Sequence, residues 1–594
     1  MSVLRISGLL LGAAAVGALV ASCTKPAAGV AETGQGWSTE AQGDWANATQ
    51  GSRLIPLAWY KALAQPDGTA PFADNAYLAT FRIVTQKDRL PVGFAVDDGS
   101  DTDLTVSKLR WYAGQKDREQ WLGLNCAACH TAVIEYEDKE QRIDGGPALF
   151  DYQIFVEALD KALHQTLDSA SAANVAGQAR FDAFAKQVLA TADTPANRSQ
   201  LRDALAKLIA WEDKVEKMNT TSVRYGYGRV DAFGHIYNKV SLFNGAEHPT
   251  PNPASAPVSY PFLWDIYRHD KLQWNGIAEN SRFPLGPDKW LDYGAMGRNT
   301  GEVIGVFGDI AVAPNAGLKG YKSSVQVANL ERIERLLESL KAPKWPWENK
   351  GDIAHGEQLF KDHCQGCHMP QPGTAPYKVK LVPQRKNNRN NTDLWMACNA
   401  IRYTSAPGKL AGVSENYIGG GPKYTTEDAR IASMLATTVK GALVGKKGEI
   451  LAQAGRVFIG VGGLPVVVNV EAIPEPGALN PILTACLDAN SPLMQYKARP
   501  LDGIWATAPY LHNGSVPNLY QLLLPPEKRV TRFYVGTRRY DPVNVGYQTD
   551  KGAPGNGFEY DTTLQANSNM GHDYDVGKLS DADRMALIAY MKTL

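Results

Sequence analysis

Cys126-Ala-Ala-Cys-His130 and Cys364-Gln-Gly-Cys-His368 are two copies of one pentapeptide, Cys-x-x-Cys-His, and they decide how the rest of the 594-residue chain is read. The spacing suits covalent attachment of haem c: each thiol reaches one vinyl group of a porphyrin, and the adjoining imidazole ligates the iron from beneath. With 7 Cys and 10 His in the chain, two chance matches are negligible. Zinc is excluded because Cys398 and Cys486 are isolated and supply no second close pair. The expectation is two covalently bound haem c groups, held by Cys126, Cys129 and His130 and by Cys364, Cys367 and His368, with both histidines on iron.

Haem c attachment belongs with export, and the N-terminus agrees. Arg5 precedes an uncharged run, Ile6 to Val20, too short to span a bilayer and built like a secretory signal. It ends in Val20-Ala-Ser-Cys23, small residues before a cysteine, like a bacterial lipobox whose cleavage leaves an acylated Cys23. Thr24, not an acidic residue, follows, which points to the outer membrane. The chain is therefore expected in the periplasm, tethered by a lipid anchor and with no other membrane span. In that oxidising compartment Cys398 and Cys486 either pair as a disulfide or stay buried thiols. The 61 basic and 61 acidic side chains balance, which argues against a nucleic-acid partner.

The pattern predicts a mainly α fold of two c-type cytochrome domains with long irregular loops. Residues 1–23 are the signal peptide and 24–55, rich in Ala, Gly, Thr and Ser, a flexible tether. Residues 56–340 form the first haem domain. It carries a helical insertion over about 150–217, where Tyr152, Phe155, Leu159 and Leu163, then Phe181 and Phe184, then Leu201, Leu205 and Leu208 recur at helical spacing. Lys341–Trp347, with two prolines, reads as a linker. Residues 348–594 form the second domain, whose opening helix crosses a capped C-terminal helix at Gly356 beside Tyr590. No repeat is seen beyond the haem motif itself.

A second strong axial ligand makes an electron carrier, and an open position makes a reactive site. For the second iron His572 is the first candidate, then His512, then a methionine such as Met494. Both histidines stand in loops beside glycine or asparagine. A strong sixth ligand on the first iron, from His235, His248 or His269, would make the protein a non-enzymatic electron-transfer module.

Ala508-Pro-Tyr-Leu-His-Asn-Gly-Ser515, Ser259-Tyr-Pro-Phe-Leu-Trp264, Lys271-Leu-Gln-Trp-Asn-Gly276, Asp144-Gly-Gly-Pro147 and Asn569-Met-Gly-His572, with the paired motifs, resemble the bacterial di-haem cytochrome c peroxidase superfamily, in its branch related to rubber oxygenase. The resemblance implies that the first haem meets the oxidant and the second relays electrons. It implies a tryptophan between them, best matched by Trp264 and next by Trp274, and a glutamate above the reactive iron, Glu279 first and Glu302 second, as acid/base. It also allows a calcium ion between the domains. The expected function is reduction of hydrogen peroxide with electrons from a small cytochrome or cupredoxin. The alternative is a di-haem oxygenase acting on an organic substrate with dioxygen.

Overall fold

The computed structural model describes residues 34–173, 175–246, 252–286, 289–368, 378–418, 420–454 and 480–594. The signal peptide and lipobox lie outside the described residues. The expected tether does not persist as one from residue 34 onward. Ser38 caps helix α1 (Thr39–Asn47) by accepting from the Ala41 amide. Trp45 in α1 is fully buried and donates to the Thr131 hydroxyl at 2.9 Å, and Gln35 hydrogen-bonds the Asp144 backbone. Composition suggested a linker, but two tryptophans in the segment, Trp37 and Trp45, have apolar area that folding buries.

After the first motif, strands β1 (Thr131–Tyr136) and β2 (Lys139–Asp144) pair antiparallel, Tyr136 opposite Lys139. Their turn residues Glu137 and Asp138 both have positive φ, 48° and 59°, the hairpin geometry that matches strand twist. Short pairings recur throughout, as nine two-stranded sheets and one of three strands among the described residues. The chain is therefore mixed α/β, 41% helix and 14% strand, which corrects the mainly α expectation. Most of these strands have two to four residues, too few for a period of two to stand out in a sequence.

The helical insertion forms where its stripes predict, as α2 (Tyr152–Ala170), α3 (Val175–Leu189) and α4 (Pro195–Asn219). Tyr152, Phe155, Leu159, Leu163, Phe181, Phe184, Leu201, Leu205 and Leu208 are all buried in one core. Asp151 and Thr194 cap α2 and α4, the latter followed by Pro195 at the first helical position. Downstream come α5 (Ala232–Phe243), α6 (Tyr293–Gly305), α7 (Val327–Ser339) and α8 (Ile353–His363).

Two separable cytochrome domains are not present. A single core joins Trp45, Ile143, Trp264 and Leu337 from before the linker to Phe360, Trp505 and Leu587 after it. The linker is itself packed: Trp505 donates to the Pro343 carbonyl at 2.9 Å, and Trp345 and Trp347 lie edge-on against Trp505 at 5.3 and 5.7 Å. Two prolines stop the helix there, but three indoles bind the segment down.

The halves are also interleaved by a second repeated element that the sequence reading did not register. Leu263, Ile266, Asn275 and Gly276 recur as Leu501, Ile504, Asn513 and Gly514, in register with the two haem motifs. The backbones match. Asp265 and Gly503 are left-handed (62°, 64°), as are Gln273 and Leu511 (65°, 63°) and Gly276 and Gly514 (68°, 72°). Equivalent residues exchange equivalent bonds across the halves: Ser259 N–H donates to the His512 carbonyl and Lys497 N–H to that of Trp274, both at 2.8 Å. Sequence identity between the loops is slight, because a conserved backbone path asks only for the turn glycines and a few apolar anchors.

In the second half, β3 (Lys380–Pro383) pairs with β4 (Gln495–Ala498), and α9 (Ile431–Gly445) packs on α5 and α6. Cys398 and Cys486 form a disulfide between two short helices, with Cα atoms 5.6 Å apart. The final helix, α10 (Asp581–Met591), has a full capping box on Ser580 and Asp583. It crosses α8 at Gly356, where a Cβ would meet the Ala586 carbonyl oxygen at 2.0 Å and Tyr590 Cβ at 2.9 Å. Gly356→Val should therefore cost about 2 kcal/mol or more by overpacking, read as a lowered urea midpoint; an unchanged midpoint would show that the crossing is loose.

Candidate functional site

The second motif is built around two facing imidazoles. His368 Nδ1 lies 2.7 Å from the Arg499 carbonyl oxygen, so Nδ1–H donates and Nε2 keeps its lone pair for a metal. Opposite it stands His572, with ring centroids 6.0 Å apart. Two metal–imidazole bonds of about 2 Å plus two ring radii fill that span, which leaves room for one iron. His572 is held by a left-handed backbone (φ 52°) after Gly571, its N–H donating to the Asn390 carbonyl at 3.2 Å. Burial pulls its pKa down to about 3, so the ring is neutral, as a ligand must be. Its buried Nδ1 has no hydrogen-bond partner. Cys364 and Cys367 are free thiols on the same cavity as both histidines. These donors fit a haem c.

His512 lines this cavity too, stacked on Tyr496 at 4.0 Å with Nε2 unpartnered, and burial takes it to about 3. Its ring does not face His368. Met494 packs in the core around the disulfide.

At the first motif, His130 Nδ1 is 2.8 Å from the Pro261 carbonyl oxygen, the equivalent bond in the first half. Burial lowers His130 to about 4 and raises the Cys129 thiol to about 12, and both cysteines are free. Here no histidine ring faces the motif among the described residues; the ring neighbour of His130 is Tyr260 at 6.1 Å. His235 Nε2 is engaged by the Tyr225 hydroxyl at 3.2 Å, and His269 Nδ1 lies 3.4 Å from Lys497 Nζ. His248 lies outside the described residues.

A carboxylate stands near the first motif instead. Glu302, on α6, lies within charge range of both Cys126 and Cys129. Gln273 donates to its Oε1 at 3.3 Å, and Arg298, one turn earlier, is 3.7 Å away. Burial raises the Glu302 carboxyl, partly offset by Arg298. Arg298 is fixed in turn by an ion pair with Glu334 on α7, which also accepts from Asn299 at 2.7 Å. Glu279, the first candidate from the sequence, is paired with Lys271 at 2.5 Å on a hairpin; its side chain is 47% exposed against 39% for Glu302, so the ion pair with Lys271, not exposure, is what distinguishes it. Glu302 and Glu279 both line a cavity that does not itself include Cys126, Cys129 or His130, and its other walls are largely apolar, with Phe233, Ile236, Ile277, Leu435 and Val439.

The two tryptophans separate clearly. Trp264 is a core residue, stacked on Phe262 at 4.8 Å and donating to the Asp502 carbonyl at 2.7 Å. Trp274 lines the second cavity, 5.7 Å from the Arg499 guanidinium and 6.4 Å from His512. Arg298, Gln273, Lys497 and Arg499 were not singled out from sequence. The i,i+4 pair Arg298 and Glu302 on a helix was the readable signal. Asp160, His164 and Asp213, a cluster of metal-ligand type, sit on the helical insertion and not between the halves; His164 and Asp213 are paired at 2.9 Å.

Comparison with known proteins agrees with this chemistry. A family described as RoxA-like, cytochrome c-like, matches residues 495–534, the stretch holding Arg499 and His512. The uncharacterized protein y4iJ of Sinorhizobium fredii is 32% identical over 602 aligned residues, covering 94% of this chain and 92% of that protein. A second uncharacterized protein of that organism, y4iM, is 25% identical over 377 residues, 59% of this chain and 68% of its own. The chain belongs to the family of y4iJ, and it is a haem c-binding, cytochrome c-like protein on a branch related to rubber oxygenase.

The Arg298–Glu334 pair is largely buried, its side chains 7% and 14% exposed. Arg298→Met should destabilise the protein by about 3 kcal/mol, because it strands a buried carboxylate, and Arg298→Met with Glu334→Met should recover most of that. Denaturant unfolding decides it: equal losses in the single and double variants would contradict the pairing.

Proposed function

We propose that the protein is a periplasmic di-haem c-type oxidoreductase that reduces hydrogen peroxide at the first centre and takes electrons through the second. The observation that carries this reading is the asymmetry of the two motifs: a histidine faces His368, whereas among the described residues no histidine ring faces His130, Arg298 lies within charge range of it, and the Glu302 carboxylate lies within charge range of Cys126 and Cys129. Haem, when bound, supplies a redox-active iron with an exchangeable position where no second strong ligand is present.

Each chain residue then has a task. His368 and His572 would hold the second haem, and two nitrogen ligands would suit it to electron relay. His130 orients the first through its bond to Pro261. Glu302, its carboxyl raised by burial, takes a proton from the near oxygen of peroxide and returns it to the departing one. Arg298 steadies the charge that develops, and Gln273 fixes the carboxylate. The overall balance is one peroxide, two electrons and two protons to two waters. Trp274, on the second cavity next to Arg499, is the better placed inter-centre indole. The electrons come from a small redox protein, a cytochrome or cupredoxin. The disulfide and the N-terminal lipobox pattern support a periplasmic, lipid-anchored location.

A second reading, oxygenation of an organic substrate with dioxygen, is favoured by the apolar walls of the cavity that Glu302 lines and by the RoxA-like match. One comparison separates them. Glu302→Gln should lower peroxide turnover of the haem-loaded protein by about 10²- to 10⁴-fold, while Glu279→Gln should leave it unchanged. Peroxide turnover equal to wild type in Glu302→Gln, with oxygen uptake in the presence of an apolar substrate, would replace the first reading by the second.

A further inference from the structure

Lys497 and Arg499 are two cations inside the protein, 7% and 5% exposed, on the wall of the cavity that holds Cys364, Cys367 and His368. The Lys497 ammonium donates to the Lys271 carbonyl at 2.9 Å and meets His269 Nδ1 at 3.4 Å. Among the described residues no carboxylate pairs with it. Asp270, the one anion within charge range of it, accepts from the Val379 amide instead. Arg499 lies over the Phe262 ring at 3.7 Å and donates to the Phe262 carbonyl. Arg298, from the first centre, adds a third positive charge within range of Lys497.

A buried charge without a counter-ion costs several kcal/mol, so a protein keeps such a group only where an anion arrives. Burial, and then Arg499 and Arg298, hold the Lys497 pKa well below its ordinary value, and an anion in the cavity would reverse that. The position narrows the anion. Lys497 is bonded through its backbone to Trp274, and Arg499 through its guanidinium to the Phe262 carbonyl, so the cations sit where the two halves exchange bonds, and the Arg499 carbonyl also holds His368. A haem attached at Cys364 and Cys367 brings two carboxylates into this cavity.

We propose that Lys497, with Arg499 beside it, is the seat of the propionate carboxylates of the second haem, and that it sets that haem's reduction potential. The inference rests on the two-haem reading. A fixed cation beside the propionates favours the reduced state, which carries one negative charge more.

The test uses the full haem-loaded chain as wild type, Lys497→Met and Lys497→Arg, with haem per chain measured first and spectroelectrochemical titration second. At a fixed applied potential, Lys497→Met should lower the reduced-to-oxidised ratio of the second haem about tenfold, which is about 59 mV for one electron, and Lys497→Arg should stay close to wild type. An unchanged ratio in Lys497→Met with two haems bound would overturn the inference. A wild-type chain with fewer than two haems would overturn the two-haem reading instead. If Lys497→Met takes up no second haem, redox-difference infrared spectra of wild type and Lys497→Arg, with haem labelled at its carboxyl carbons, decide. A labelled carboxylate band that moves between the two proteins supports the seat, and one that does not move overturns it.

Discussion

Two hydrogen bonds organise this molecule, from His130 Nδ1 to the Pro261 carbonyl and from His368 Nδ1 to the Arg499 carbonyl, each spanning 131 residues. An imidazole that is to ligate iron through Nε2 is oriented, and its proton kept at Nδ1, by an acceptor at Nδ1, and these carbonyls do both for His130 and His368. Each carbonyl belongs to the opening of a loop that continues through a left-handed residue, a short 3-10 turn and an Asn-Gly pair. Because Ser259 and Lys497 each bond to the loop of the other half, neither loop can be placed alone. The long wandering segments between motif and loop are thereby pinned at both ends, and one core closes over both centres.

Function follows from what the repeat does not share. The second centre has His572, from a loop near the C-terminus and locked by Gly571 and Asn390, standing across from His368. The first centre has α6 nearby, which carries Glu302 within charge range of both cysteines and shares a cavity with the apolar faces of α5 and α9.

Much of the site was legible in the sequence, and the reasons differ by residue. The six attachment residues carry their chemistry in their spacing. His572 stood out as a histidine after glycine in a loop, and the fold sets its ring across from His368. Glu302 ranked second to Glu279 because distance along the chain from Trp264 says nothing about which side of a hairpin a carboxylate faces; the Arg298 four residues earlier was the better guide. Trp264 is buried in the core, stacked on Phe262 and bonded to the Asp502 carbonyl, which spacing along the chain does not reveal. Strand content was missed because pairs of two to four residues leave no period, and the tether because Ala- and Gly-rich composition masks two anchoring tryptophans. The separate domains dissolved because their boundary rests on prolines, which end a helix without ending a core.

The claim on which the account turns is that the two centres differ in their far-side ligand. Low-temperature electron paramagnetic resonance of the fully oxidised, haem-loaded protein measures that directly. One low-spin signal of a bis-histidine centre, lost in His572→Ala, is expected beside one high-spin signal that persists in that variant. Two low-spin signals, or a wild-type spectrum left intact by His572→Ala, would contradict it.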